Sequence, residues 1–240
     1  MLSVLTTTAG LITMNSEHIF IVIPAFNEEK VIGNVVRSVR SAGSYTVVVV
    51  DDGSTDRTFM RAQEAGALCL RHPINRGKGA AAKTAIEAAR LQGASIIVTM
   101  DGDGQHDASD IATLVKPILN QTHDVVLGTR SFRSPGVPWY KALHNHIANM
   151  IVLLMTGLQV HDSQSGFRAY SPAALALINT RSDTYEYETE VIQEIARYRL
   201  RYTEVPMTTR YTEHSMKKPH RQTVTNGIKT VYKVMWNRFL

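Results

Sequence analysis

Short β-branched apolar runs alternate with helix-patterned segments through the first half of this chain, and that alternation leaves few folds open. Residues 19–24, 45–50, 67–71, 95–100 and 124–128 read as strands. Between them, 28–42 carries Val31, Val35, Val36 and Val39 at helical spacing, and 55–65 reads as a helix with Ser54 or Thr55 as its cap and Gly66 as its stop. An Ala-rich helix over 80–92 and a helix near 109–120 complete the series. Such a series predicts an α/β domain with a mostly parallel sheet covered by helices on both faces. After Thr129 the pattern loosens. It predicts a helix over 139–156, a loop at 162–168, a helix over 186–199, a short strand closed by Pro206, and a basic stretch, 210–221. No internal repeat and no long linker divides the chain.

Ligands of such sheets bind beyond the carboxyl ends of the strands, and the polar motifs fall there. Asn27-Glu28-Glu29 follows the first strand, Asp51-Asp52-Gly53-Ser54 the second, and Asp101-Gly102-Asp103-Gly104-Gln105-His106 the fourth. Two carboxylates two residues apart on a turn can converge on one hard cation, which can bridge a diphosphate and neutralise charge as a nucleotide leaves. A calcium loop of the EF-hand type is excluded, because the sixth position from Asp101 is His106 and the twelfth is Ala112. Asp51 and Asp52 are placed to hydrogen-bond a ribose or a base. Asn75-Arg76-Gly77-Lys78-Gly79 is not a P-loop, since His72 and Gly79 stand where that motif needs Gly and Ser or Thr. Two readings remain for it: an anion contact at a helix start, or a plain close-packed turn. Glu186, Glu188 and Glu190 read as the solvated first turn of a helix, favoured by its dipole, and as a source of a base if an acceptor hydroxyl were used. The histidines are scattered, and Met150, Leu153, Leu154 and Met155 read as packing.

In order along the chain, these motifs, with Gly128-Thr129-Arg130 and Asp162-Ser163-Gln164-Ser165-Gly166-Phe167-Arg168, resemble glycosyltransferase family 2, in its dolichyl/polyprenyl-phosphate hexosyltransferase branch. The resemblance implies a single GT-A-type catalytic domain over 17–215, between an N-terminal extension, 1–16, and a basic amphipathic segment, 216–240. It implies inverting transfer of a hexose from a GDP- or UDP-linked donor to polyprenyl or dolichyl phosphate. By the same resemblance, Pro24, Ala25, Asn27, Glu28, Asp51, Asp52, Lys78 and Gly102 form the nucleotide-sugar pocket. Asp101 and Asp103 hold Mg2+ or Mn2+ with Gln105 beside them. Arg130, Ser165 and Arg168 contact phosphates, with Arg210, Lys217 and Lys218 on the acceptor side; a planar guanidinium suits phosphate oxygens. The segment Arg210 to Ser215 departs from the mannosyltransferase pattern, with Glu213 in place of Gly and Met216 in place of Lys, so the donor sugar is left open. The alternatives are a transferase acting on a soluble sugar or protein hydroxyl, and a non-catalytic nucleotide-sugar-binding partner subunit.

Composition narrows the setting. Net charge is +5 and the pI about 9.3, which suits anionic partners but is too weak to imply nucleic acid. The one cysteine, Cys69, cannot form an internal disulfide, in keeping with a reducing compartment. The start of the chain lacks a signal-peptide pattern, and the run from Ile147 to Leu158 is too short to span a bilayer. Val224, Ile228, Val231, Met235 and Phe239 recur on one helical face, with basic residues around them; the stripe reads either as a C-terminal helix packed on the domain or as peripheral attachment to the cytoplasmic face of an anionic membrane, with or without a membrane-anchored partner subunit.

Overall fold

The computed structural model describes residues 18–131, 139–184 and 186–210. The extension 1–16 and the segment 216–240, with Lys217 and Lys218, lie outside them. Seven strands form one sheet in the order β3-β2-β1-β4-β6-β5-β7. They are β1 (Ile19–Ala25), β2 (Thr46–Asp51), β3 (Leu68–Arg71), β4 (Ile96–Thr99), β5 (Val125–Arg130), β6 (Arg168–Tyr170) and β7 (Tyr202–Met207). All neighbours run parallel except β6, which is antiparallel to both β4 and β5.

Burial on both faces explains the strand sequences. Ile21, Ile23, Val47 and Val49 pack on one side under α1 (Ile32–Ala42), α2 (Thr58–Glu64) and α4 (Ile111–Leu119). Phe20, Val22, Val48 and Val50 pack on the other against Ala81, Ala85 and Ala89 of α3 (Lys78–Leu91). A strand covered twice has no polar side, so it reads as a continuous apolar run. Alanines give α3 a flat face that approaches the sheet closely. A third cluster joins β5 and β6 to α5 (Trp139–Thr156), α6 (Pro172–Leu177) and α7 (Tyr187–Arg197).

The predicted alternation holds, with three differences. First, α2 starts at Thr58, and neither Ser54 nor Thr55 caps it. Asp56 Oδ1 accepts from the Thr58 amide instead, while Ser54 and Thr55 bond to Asn27. Second, the loop expected at 162–168 ends in a buried three-residue strand, β6, and α6 follows it. Third, Pro206 lies inside β7 rather than closing it, tolerated because β7 is an edge strand bonded only to β5.

From β1 the chain builds β2 and β3 to one side, then returns to place β4 on the other. The reversal between β1 and β4 opens a crevice at their carboxyl ends. The tight α3 contact is testable. Ala85→Leu forces three extra carbon atoms into a fully buried site, and we expect a loss of about 1–3 kcal/mol in denaturant unfolding.

Candidate active site

Two loops meet at the crevice and are stitched edge to edge. The Asn27 amide donates to Ser54 Oγ at 2.9 Å, the Glu28 amide to Thr58 Oγ1 at 2.7 Å and the Glu29 amide to Asp56 Oδ2 at 3.2 Å. In return the Thr55 amide donates to Asn27 Oδ1 at 3.0 Å and the Arg57 amide to Glu29 Oε2 at 3.1 Å. Asn27 takes the left-handed conformation, φ 55°, which Asn tolerates better than most residues. Asn27 thus shapes the rim, and the buried Glu28 opens α1 through its carbonyl, which accepts from Val31 and Ile32.

Asp51 and Asp52 have different surroundings. Asp51 is fully buried, accepts from the Ser54 amide at 3.0 Å and faces Arg71 Nε at 3.3 Å. Asp52 accepts from the Arg76 amide at 3.0 Å, the Gly77 amide at 2.7 Å and His72 Nδ1 at 2.7 Å. The glycine-rich turn therefore does hold an anion, and it is the protein's own carboxylate. Gly77 is required there: its φ is +105°, and a Cβ would lie 2.3 Å from the Asp183 carbonyl. His72 is buried and fixes this turn, and its Nε2 lies 3.0 Å from Thr84 Oγ1.

Lys78, the first residue of α3, is held at the centre. Its Nζ lies 2.7 Å from Asp101 Oδ1 and 2.6 Å from Glu188 Oε1. Lys78 and Asp101 each keep about a quarter of their side-chain surface open, 24% and 26%, whereas Glu188 keeps 4%. Burial pushes the Lys78 ammonium down, but the Asp101 and Glu188 charges outweigh it and hold it far above its ordinary value. Burial likewise pushes Asp101 up, and Lys78 followed by His106 reverses this, leaving it well below the usual carboxylate range. His106 Nε2 lies 3.4 Å from Asp101 Oδ2, its ring edge-on to Phe167. Asp103 differs: burial first, then the Asp101 charge, raises it, although the Gln105 amide donates to its Oδ1 at 3.0 Å.

Glu188 corrects the reading of 186–190 as a solvated turn. The sequence carried a signal for it, because Glu188, Val191, Ile192 and Ile195 share the buried face of α7 at spacings of 3, 1 and 3. Glu190 accepts from the Arg181 and Ser182 amides, and Glu186 from Thr184.

The arginines are each engaged with the protein itself. Arg168 is buried, and its Nε, Nη1 and Nη2 donate to the carbonyls of Ser165, Glu188 and Ser163, each at 2.9 Å. Its fork organises the 163–168 loop and is not presented to a phosphate. The buried Ser165 completes that loop, its Oγ accepting from the Phe167 amide. Gly166 closes on the ion pair so tightly that a Cβ would stand 2.7 Å from Asp101 Oδ1 and 2.8 Å from Lys78 Nζ. Arg130 is a quarter exposed, and its fork lies on the buried Asp162, Nε to Oδ2 at 2.7 Å and Nη2 to Oδ1 at 2.8 Å. Arg210 pairs with Asp107 and donates its amide to Gln105, which ties the start of the C-terminal segment to the acidic turn. Pro24 and Gly166 line a narrow cavity with Lys78, Asp101, Tyr187 and Glu188. Ala25 ends β1, and the buried Gly102 packs against the Pro24 carbonyl.

Among the described residues no three His, Cys, Asp or Glu side chains cluster as a metal cage. Asp101 and Asp103 nonetheless suit a shared divalent cation, since two carboxylates two residues apart on one turn offer hard oxygen ligands and a ligand's phosphate oxygens would complete the coordination. Residues 20–177 match the family described as Glycosyl transferase family 2. The chain belongs to glycosyltransferase family 2. An uncharacterized protein of Methanocaldococcus jannaschii is 40% identical over 94% of this chain and 94% of its own. The UDP-N-acetylglucosamine–dolichyl-phosphate N-acetylglucosaminyltransferase of Methanococcus voltae is 34% identical over 92% of this chain and 96% of its own. Glucosyl-3-phosphoglycerate synthase from Mycobacterium tuberculosis, solved with Mn2+, UDP and glucosyl-3-phosphoglycerate, shares the GT-A fold, with a TM-score of 0.71 at 20% identity over 92% of this chain and 78% of that one.

Buried pairing makes these family-2 residues separable by stability. Arg168→Lys loses three carbonyl contacts in a dry site, and we expect it to cost about 3–5 kcal/mol in chemical unfolding. Arg130→Lys, at a partly open pair, should cost about 1 kcal/mol or less.

Proposed function

We propose that this family-2 enzyme transfers a hexose, with inversion, from a UDP- or GDP-linked donor to polyprenyl phosphate in the crevice between β1 and β4. The observation that carries the reading is the convergence of the Asp51/Asp52 and Asp101/Asp103 loops on that one crevice, in a chain matched along its length by a dolichyl-phosphate N-acetylglucosaminyltransferase.

The nucleoside part of the donor lies along the rim built by Pro24, Ala25, Asn27, Glu28 and Asp51, with Asp52 keeping the 76–77 turn in place beneath it. A bound Mg2+ or Mn2+, held by Asp101 and Asp103 with Gln105 alongside, supplies positive charge to the departing diphosphate. Lys78 adds a fixed ammonium at the same wall. Arg130, Arg210, Lys217 and Lys218 supply the acceptor side, the last two from outside the described residues. An oxygen of the acceptor phosphate forms a bond to the anomeric carbon as the bond from that carbon to the donor diphosphate breaks. One displacement from the opposite face inverts the anomeric centre.

The engagement of Glu186, Glu188 and Glu190 supports a phosphate acceptor over a hydroxyl. Glu188 is bound to Lys78, and Glu186 and Glu190 are bound to the 181–184 segment. A phosphate is already ionised near neutral pH and needs no deprotonation to attack. No helix among the described residues is long and apolar enough to cross a membrane. The proposal therefore includes peripheral attachment, with the basic 216–240 segment on anionic lipid.

Radiolabelled sugar transfer into an organic-extractable lipid, run across a panel of UDP- and GDP-sugars, tests the reading. One donor should label the lipid, and excess EDTA or Asp103→Asn should cut the rate by roughly a hundredfold or more. Undiminished transfer in EDTA removes the cation from the mechanism; label appearing only in water-soluble product removes the lipid acceptor.

A further inference from the structure

Both carboxylate oxygens of Asp101 are already faced by nitrogen atoms of the protein itself. Lys78 Nζ lies 2.7 Å from Oδ1, and His106 Nε2 lies 3.4 Å from Oδ2. The same ammonium lies 2.6 Å from Glu188 Oε1. A carboxylate oxygen in contact with an ammonium cannot also take a divalent cation without loss, because the two positive charges repel at close range. Access to Asp101 therefore depends on where the Lys78 ammonium can go.

The surroundings of Lys78 offer it one place. Glu188 keeps only 4% of its side-chain surface open, and its Oε1, although close to the ammonium, has no aligned hydrogen-bond donor among the described residues. A buried carboxylate oxygen of this kind has acceptor capacity to spare. A narrow cavity of about 10 Å3, roughly the space one water molecule needs, adjoins Lys78, Asp101 and Glu188. The Gly166 backbone closes another side, where a Cβ would stand 2.8 Å from Lys78 Nζ. Glu188 itself is fixed, since it lies on the buried face of α7 and its carbonyl accepts from Arg168 Nη1 at 2.9 Å. The lysine is the adaptable partner: a compact ammonium on a four-carbon stem re-aims its donors without moving the helix.

We propose that Glu188 is a positioning residue that receives the Lys78 ammonium when Asp101 is given over to a divalent cation. Lys78 then stands in for the cation at Asp101 when none is bound, and stays at the crevice wall on Glu188 when one is. The inference rests on the reading that Asp101 and Asp103 hold such a cation. Without Glu188, an ammonium displaced from Asp101 would sit in a largely closed site with no counter-charge, which is costly, so it would stay and compete.

Mn2+ alone, titrated into the full chain and followed by the electron paramagnetic resonance signal of the free ion, tests this without donor, acceptor or turnover. Binding at the crevice is the part that Asp103→Asn removes. Glu188→Gln should weaken that binding about tenfold or more with Lys78 in place, but no more than about threefold in the Lys78→Met background. Loss of one nearby negative charge is common to both backgrounds, and only the first keeps the competing ammonium. Lys78→Met leaves Glu188 buried without a counter-charge and costs stability. Lys78→Met combined with Glu188→Gln avoids this and leaves the net charge unchanged, so it carries the test even where a single variant does not fold. The double variant should bind Mn2+ about tenfold or more tightly than the wild type, because direct competition at Asp101 is gone. Equal losses in the two backgrounds, or a double variant that binds no more tightly than wild type, overturn the exchange and leave the cation site standing. Mn2+ binding that Asp103→Asn does not reduce refutes the cation site, and the exchange with it.

Discussion

One doubly paired ammonium holds the crevice together. Lys78 joins the start of α3, the end of β4 through Asp101, and the first turn of α7 through Glu188. These segments are far apart in sequence, and none would bury its charge alone. Removing one partner of such a group leaves an uncompensated charge and typically costs several kcal/mol, so the three residues specify one another's positions. Arg168 extends the lock by donating to the carbonyl of Glu188, and Gly166 lets the loop backbone close over the pair. The Asp101 carboxylate is therefore oriented by its partners and held in its ionised form.

The other side of the crevice is built by main-chain donors meeting short polar side chains. Asn27, Ser54, Asp56 and Thr58 join the two rim loops, and Asp52 draws in the turn at 76–77. Loops at a topological switch point are splayed apart by the topology, so holding them together takes such stitching. The result is a rim whose two loops are joined by hydrogen bonds. Arg130 and Arg210 are partly open to solvent, Arg130 paired with the buried Asp162 and Arg210 with Asp107, whereas Arg168 is buried.

The sheet was legible because strands covered on both faces must be apolar without a break, as Val47 to Val50 are. The acidic turn was legible because Asp101 and Asp103 follow such a strand directly. What escaped the sequence reading was set by contacts between distant segments. Strand β6 is three residues long, too short for a period to register. Ser54 is a good helix cap by type, yet its hydroxyl went to Asn27, a partner no local rule can name. Arg168 reads as a phosphate ligand by type and is buried by the loop that precedes it. Glu188 was the avoidable miss, since it falls on the apolar face of its own helix. Met150, Leu153 and Leu154 read as packing yet are exposed on α5, because apolar spacing alone does not say which side the core lies on.

Anomalous diffraction from Mn2+ in crystals grown with UDP tests the central claim most directly, namely that the β1–β4 crevice is a cation-assisted diphosphate site. A single strong peak is expected against the Asp101 and Asp103 carboxylates, with the diphosphate facing Lys78. A diphosphate bound in that crystal with no manganese at those two residues, or manganese and UDP seated elsewhere on the chain, would contradict it.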